Sequence, residues 1–135
     1  MSILIYFILG LLTSLLFPPY FFLPLGFIIF PSLCFLLESN KENYSDKNIF
    51  NKFSIFGFGF FISYLFWIKN PFFVFEETKN FFLVFLLLII FLSVILGLIF
   101  TIIFKLGKKI PIIILIPLMF TSSEYIISIF FYGFP

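Results

Sequence analysis

Residues 81–104 read FFLVFLLLIIFLSVILGLIFTIIF and contain no charged residue. As an α-helix this stretch would be about 36 Å long, which exceeds the roughly 30 Å hydrocarbon core of a bilayer. Ser93, Gly97 and Thr101 recur in it every four residues and therefore share one face. Small residues at this spacing are typical of close helix packing, and they offer too few ion ligands to favour a polar conduction path. The stretch predicts a transmembrane helix with one packed face.

The composition of the whole chain agrees with that prediction. Of its 135 residues 63% are hydrophobic and 10% are charged, whereas soluble domains have roughly 45–50% and about 25%. A soluble domain of this size cannot bury so much apolar surface. The fold class is therefore an all-α membrane protein, a polytopic bundle of about five transmembrane helices. The net charge of +2 forms no basic patch, so we expect no nucleic-acid partner.

The predicted helices make up one amino-terminal transmembrane domain over residues 1–135. We expect them at about residues 3–17, 20–37, 53–68, 81–104 and 111–131. Pro18 and Pro19 end the first helix because proline lacks the donor that a continuing helix needs. The first two stretches are short for a full crossing, so a re-entrant hairpin remains an alternative there. In the third, Gly59 and Ser63 lie four residues apart and permit close helix contact.

Lysines are concentrated in two of the connections between these helices. The lysines concerned are Lys41, Lys47 and Lys52 in one connection and Lys105, Lys108 and Lys109 in the other. The segment 69–80 has only two lysines, beside Glu76 and Glu77. Because lysine-rich connections face the cytoplasm, we predict a cytoplasmic amino terminus. Five crossings then place the carboxyl end on the far face, which is the periplasm in a Gram-negative bacterium.

Two residues are candidates for organising a site. Glu124 is the one carboxylate inside an apolar span, and an acid in such a position is by default a functional candidate. It would lie roughly 22 Å into the hydrocarbon core, near the outer interface, where water and neighbouring hydroxyls are an alternative explanation for it. Trp67 ends the third predicted helix, a position equally typical of the interfacial aromatic belt.

Ordinary nucleophilic catalysis lacks its residues in this sequence. The chain has one cysteine, Cys34, in an apolar stretch, and no histidine. A thiol there behaves as a small hydrophobe, and no imidazole is available to convert it to the thiolate. We predict no catalytic residue, no cofactor site and no metal site.

Three landmarks follow one another along the chain. They are FPPY at 17–20 with LPL at 23–25, GFGFF at 57–61 leading to Trp67, and Glu124 followed by GFP at 133–135. In order and spacing they resemble the amino-terminal membrane domain of the apolipoprotein N-acyltransferases of the bacterial inner membrane. Ile127 and Ser128 depart from that pattern, since the family usually has Arg and then Gly at these two positions.

The resemblance implies an acyltransferase of lipoprotein biosynthesis. Its acyl donor would be a membrane phospholipid, and its acceptor the amino terminus of the diacylglyceryl-cysteine of an apolipoprotein, with a cysteine thioester between the two steps. The family's Glu, Lys and Cys triad belongs to a carboxy-terminal nitrilase-like domain. We expect that domain to be absent, because the chain stops at Pro135 inside a motif, and we expect the chain alone to be inactive. The alternative is a complete, non-enzymatic small membrane protein, either a transporter subunit or an assembly factor.

Overall fold

The computed structural model describes residues 3–39, 45–73 and 82–130. Within these ranges the chain forms five α-helices and two 3-10 helices, and no strand. The α-helices are α1 (Ile3–Ser14), α2 (Gly26–Glu38), α3 (Asp46–Tyr64), α4 (Phe82–Leu106) and α5 (Ile112–Phe130), and the 3-10 helices are Leu23–Leu25 and Phe66–Phe73. The predicted all-α class is confirmed.

Helix α3 begins at Asp46. We had predicted its start at about Phe53, where the sequence changes from polar to apolar. Ser45 precedes it in an extended conformation, and its Oγ accepts a 3.3 Å hydrogen bond from the Asn48 backbone N–H. This cap satisfies one of the orphan donors of the first turn, and the acidic Asp46 complements the helix dipole. Capping residues thus determine this boundary, although the segment they begin is polar.

The connection between α1 and α2 is longer than predicted because three prolines lie in it or border it. Helix α1 ends at Ser14 rather than at Phe17, and residues 15–17 continue in tighter turns with i to i−3 hydrogen bonds. Helix α2 begins at Gly26 rather than at Tyr20, after the 3-10 helix Leu23–Leu25. The two helices, of 12 and 13 residues, contact each other. Each is shorter than the roughly 20 residues that cross a bilayer core.

Helix α3 lies between α1 and α4. On the α1 side, a β-carbon added at Gly59 would collide with the backbone carbonyl oxygen of Phe7. One turn further along α3, the hydroxyl of Ser63 accepts a 2.8 Å hydrogen bond from the hydroxyl of Ser14. The prediction that Gly59 and Ser63 form a face for close helix contact is confirmed, and α1 is the partner.

Helix α4 packs against the other side of α3 through its small residues. A β-carbon at Gly97 would collide with the hydroxyl of Ser54, and one at Gly57 would lie 3.2 Å from the Cα of Ser93. Ser93 is buried. The hydroxyls of the stripe donate to carbonyl oxygens of their own helix at 2.6 Å, so they do not need a polar partner across the interface. The stripe is a packing surface, as predicted.

Aromatic rings hold α5 against the other helices. Phe120 of α5 packs edge-on against Phe100 of α4, with 5.2 Å between ring centroids, and against Phe56 of α3, with 5.9 Å. Phe56 and Phe100 are fully buried. Edge-to-face pairs at these distances add to the stabilisation from buried area. The cluster fixes the middle of α5 relative to α3 and α4.

The outer surface of the bundle is apolar. Leu87, Phe91 and Leu98 on α4 are 64%, 55% and 49% exposed. By length and composition α4 and α5 are able to cross a membrane. Only 39% of the most apolar 18-residue stretch of α4 and 33% of that of α5 is buried within the protein. The core helix of a soluble protein would be mostly buried, and contiguous apolar surface of this kind marks a lipid or partner interface.

Most of the lysines from the two lysine-rich connections meet at one end of the bundle, where α3 begins and α4 ends. The Nζ of Lys105 lies 2.6 Å from the carboxylate of Asp46. Lys52 is buried, and its ammonium lies 5.5 Å from the centre of the Tyr6 ring of α1, a cation–π contact. We call this the lysine end of the bundle. Lys41, Glu76 and Glu77 lie outside the described residues.

Candidate functional site: a cleft between α3 and α5

A cleft of about 570 Å³ lies towards the end of the bundle opposite the lysine end. Its two long walls are the last part of α3 and the middle of α5, because α5 packs along α4 and α2 within the described residues and meets α3 only locally. The lining residues are Phe17, Phe56, Phe60, Phe61, Tyr64, Leu96, Phe120, Thr121, Ser123, Glu124, Tyr125, Ile127 and Ser128. Three helices, α3, α4 and α5, and the turn that follows α1 therefore contribute to one site.

The inner part of the cleft is aromatic. Phe56 and Phe120 meet at its floor. Along one wall the rings of Phe17, Phe60 and Tyr64 pack together, with centroid distances of 5.2–5.6 Å. Since residues 60 and 64 are one helical turn apart, they project from the same side of α3. This surface suits an apolar ligand that can lie against rings.

Among the described residues that line the cleft, Glu124 is the only acidic one. Within the described residues its carboxylate forms neither a hydrogen bond nor an ion pair. The hydroxyl of Thr121 donates to the Pro117 carbonyl at 2.8 Å, and that of Ser123 to the Phe120 carbonyl at 2.7 Å. A hydroxyl has a single proton to donate, so these two neighbours do not stabilise the carboxylate. Within the described residues, the hydroxyls of Thr121 and Ser123 therefore do not explain the position of Glu124.

Trp67 lies close to this cleft but outside it. We predicted Trp67 at the end of the third helix. Helix α3 ends at Tyr64, however, and Trp67 belongs to the 3-10 helix Phe66–Phe73. Pro71 has no N–H for a continuing α-helix, and the chain tightens into a 3-10 helix before it. Trp67 is exposed and lines a neighbouring pocket of about 450 Å³. Tyr64 lines both pockets, so Trp67 and Glu124 flank one shared residue.

The remaining sequence candidates do not join the cleft. Cys34 is a free thiol, half-buried in α2, one turn from the end of that helix. The described part of the chain contains no cluster of His, Cys, Asp or Glu that could hold a metal ion. Sequence reasoning missed Tyr64 and Phe60, whose only local signal is their four-residue spacing on α3.

The sequence model of one protein family, described as apolipoprotein N-acyltransferase N-terminal domain, matches residues 9–135. The chain belongs to this family. The match covers every residue that lines the cleft. No curated protein and no solved structure matches the chain. Membership confirms the predicted resemblance and implies acyltransferase activity in lipoprotein biosynthesis at a membrane.

The cleft contains two positions at which this N-acyltransferase domain departs from the family pattern noted above. Ile127 and Ser128, where the resemblance implies Arg and Gly, both line the cleft. An Arg at position 127 would bring a guanidinium to the surface on which Glu124 lies, one turn away. The motif GFP at 133–135 lies outside the described residues.

Proposed function

We propose that this N-acyltransferase domain is the membrane-embedded part of an enzyme that transfers an acyl chain from a membrane phospholipid to the amino terminus of an apolipoprotein. The match over residues 9–135 carries the proposal. It is supported by the apolar outer surface of α4 and α5 and by a cleft of about 570 Å³ among the helices that is lined with aromatic rings. A domain that holds lipid-borne substrates near the reacting groups turns an intermolecular encounter into local positioning.

The share of this chain in the reaction is positioning and not nucleophilic attack. Its single thiol, Cys34, lies in α2, one turn from Glu38, while the cleft lies at the opposite end of the bundle. No histidine exists in the sequence to activate that thiol. In this proposal the thioester step that the resemblance implies uses a cysteine outside residues 1–135.

We further propose an orientation in the bacterial inner membrane. Five crossings with a cytoplasmic amino terminus place the lysine end inside and the cleft towards the periplasm. The ion pair between Asp46 and Lys105 supports the assignment of both lysine-rich connections to one side. Helices α1 and α2 are the shortest of the described α-helices, and in this proposal each crosses the membrane together with its flanking turns.

A domain exchange tests the activity. An N-acyltransferase of this family whose amino-terminal membrane domain is replaced by this chain should still acylate apolipoprotein, whereas an unrelated five-helix domain should not support acylation. The same reconstitution with radiolabelled phospholipid should give no hydroxylamine-labile label on Cys34. Label that disappears with Cys34→Ser, or an exchange that acylates no better than the unrelated domain, would reject the proposal.

The orientation has its own test. In a Cys34→Ser background, a cysteine at Ser39 marks the lysine end and one at Asn70 marks the opposite end, and both positions are exposed. An impermeant thiol reagent added outside intact cells should label position 70 and leave position 39 unmodified. The reverse pattern would invert the topology without affecting the family assignment.

A further inference from the structure

The lysine end of the bundle carries more positive than negative charge. Within the described residues, two carboxylates stand there against five lysines. The carboxylates are Glu38 and Asp46, and the lysines are Lys47, Lys52, Lys105, Lys108 and Lys109. Lys52 is buried in its contact with Tyr6, and the other four lysines are exposed. The exposed side chains of this end therefore present a net positive surface.

One carboxylate lies among several of these lysines. The Nζ of Lys105 is 2.6 Å from the carboxylate of Asp46. The hydrogen bond from Lys105 and its charge, together with the charge of Lys108, lower the pKa of Asp46, so both ammoniums lie close to it. Lys47, Lys108 and Lys109 form no ion pair within the described residues. Asp46 thus holds Lys105 and leaves the charge of three exposed lysines uncompensated.

Exposed apolar side chains border these lysines. Leu106, which follows Lys105, is 82% exposed, and Ile113 in the first turn of α5 is 72% exposed. A soluble anion offers nothing to such side chains, whereas a phospholipid presents a phosphate and acyl chains together. Lysines at a membrane surface lay their methylene stems along apolar surface and extend the ammonium to the polar layer. The combination at this turn therefore fits a lipid.

We propose that the lysine end binds an anionic phospholipid of the bilayer. The ammoniums of Lys47, Lys108 and Lys109 contact its phosphate, and Leu106 lies against an acyl chain. This lipid is not the acyl donor of the proposed function, since it stays bound at the end of the bundle opposite the cleft. The site shares with that function only the placement of α4 and α5 in the membrane.

Charge balance within the headgroup determines the selectivity. The phosphate of a zwitterionic lipid is balanced by a cation of its own headgroup, whereas that of an anionic lipid is not. Each lysine near an anionic lipid surface strengthens the attraction by about fivefold. Asp46 limits the effect, because it competes with the phosphate for Lys105 and repels it. Removing this carboxylate should therefore strengthen binding, whereas removing lysines should weaken it.

Tryptophan fluorescence provides a local measurement, since brominated phospholipids quench a tryptophan that they contact. The wild-type chain has one tryptophan, Trp67, in the 3-10 helix at the opposite end of the bundle, and Leu106→Trp in a Trp67→Phe background moves this reporter to the lysine end. Each chain is reconstituted in phosphatidylcholine vesicles that contain brominated phosphatidylglycerol or brominated phosphatidylcholine. The affinity ratio of phosphatidylglycerol to phosphatidylcholine should be about tenfold at position 106 and close to one at position 67.

Variants in the background of the lysine-end reporter separate charge recognition from folding. Lys108→Gln combined with Lys109→Gln should lower the ratio by at least about fivefold. Lys47→Gln, on a different helix, should lower it by itself, so the test does not depend on the stability of one variant. Asp46→Asn should raise the ratio by about fivefold. Lys69→Gln, in the 3-10 helix at the opposite end, is the matched control and should leave it unchanged.

A ratio near one at position 106, or a ratio that the lysine substitutions leave unchanged, would overturn the proposal. So would a decrease in Asp46→Asn, or a ratio that is unchanged in about 1 M salt, where the screening length is about 3 Å. Displacement of the lipid by millimolar inorganic phosphate would also overturn it, because a soluble anion would then be the ligand. Quenching by neither brominated lipid at either position would reject the membrane location and the proposed function as well, whereas a failed domain exchange alone would leave this site intact.

Discussion

Asp46, in the first turn of α3, accepts a 2.6 Å hydrogen bond from the ammonium of Lys105 in the last turn of α4. The two groups join antiparallel neighbours at the lysine end, outside the apolar part of the helices. The hydrogen bond from Lys105 and its charge, with a smaller contribution from Lys108, hold the pKa of Asp46 below its usual value. Both side chains are more than half exposed, so the pair is screened by salt and contributes little to stability.

This pair predicts the sign of one pH effect. Because the pKa of Asp46 is lower in the folded state, its contribution is complete above the unfolded pKa of about 3.9 and is lost as the pH falls through the folded pKa. The melting temperature of the wild type in detergent at low salt should therefore exceed that of Asp46→Asn at pH 7 and converge with it towards pH 3. In a Lys105→Met background the same substitution should have a smaller effect, because only Lys108 and the α3 helix dipole then favour the charged carboxylate. If the melting temperatures of the wild type and Asp46→Asn change in parallel with pH, the carboxylate of Asp46 does not stabilise the fold through Lys105.

The tightest contact of α1 with α3 predicts a large effect from a single methyl group. A β-carbon at Gly10 would collide with the backbone carbonyl of Phe56, which cannot rotate away. We expect Gly10→Ala to lower the free energy of unfolding by about 2 kcal/mol, as overpacking does. Gly26→Ala is the matched control, since its nearest neighbour is the Phe30 ring at 3.5 Å. Equal stability of the two variants in detergent unfolding would show that α1 and α3 are not in close contact.

The contact of α3 with α4 is tested at Gly97, where a side chain would meet Ser54. We expect Gly97→Leu to destabilise the bundle by about 2–3 kcal/mol, because neighbouring backbone must move. Val94→Leu, on the exposed side of the same helix, should be nearly neutral. If the two variants unfold alike, the stripe faces lipid rather than α3.

Substitution of Ser54 should have the opposite effect on stability from the glycine substitutions. Its Oγ is buried and has no hydrogen-bond partner among the described residues. Removing an unsatisfied polar group relieves its desolvation penalty, so Ser54→Ala should be neutral or stabilising by about 1 kcal/mol. Ser93→Ala provides the comparison, since that hydroxyl already donates to the Ile89 carbonyl. A larger loss of stability at position 54 than at position 93 would mean that Ser54 has a polar partner.

Much of the fold was predictable because it depends on local patterns. Helices α1, α2, α4 and α5 all overlap the ranges predicted for them. The small-residue stripe at Gly97 is a packing face, as predicted. Prediction was poorest where hydropathy and local geometry disagree. Polar residues 46–52 joined α3 because Ser45 caps it, and prolines in residues 18–24 shortened both neighbouring helices.

The sequence by itself determined the class of protein, its resemblance to the N-acyltransferases and the choice of Glu124, since each depends on composition or on residues close together in the chain. Only the tertiary structure decided what surrounds Glu124. Phe17 and Tyr64 reach the same cleft from distant positions, because α1 and α3 approach closely at glycines and Phe120 brings α5 against α3. Hydropathy is a property of one segment, whereas a cleft depends on how far two packed helices diverge, which no single segment encodes.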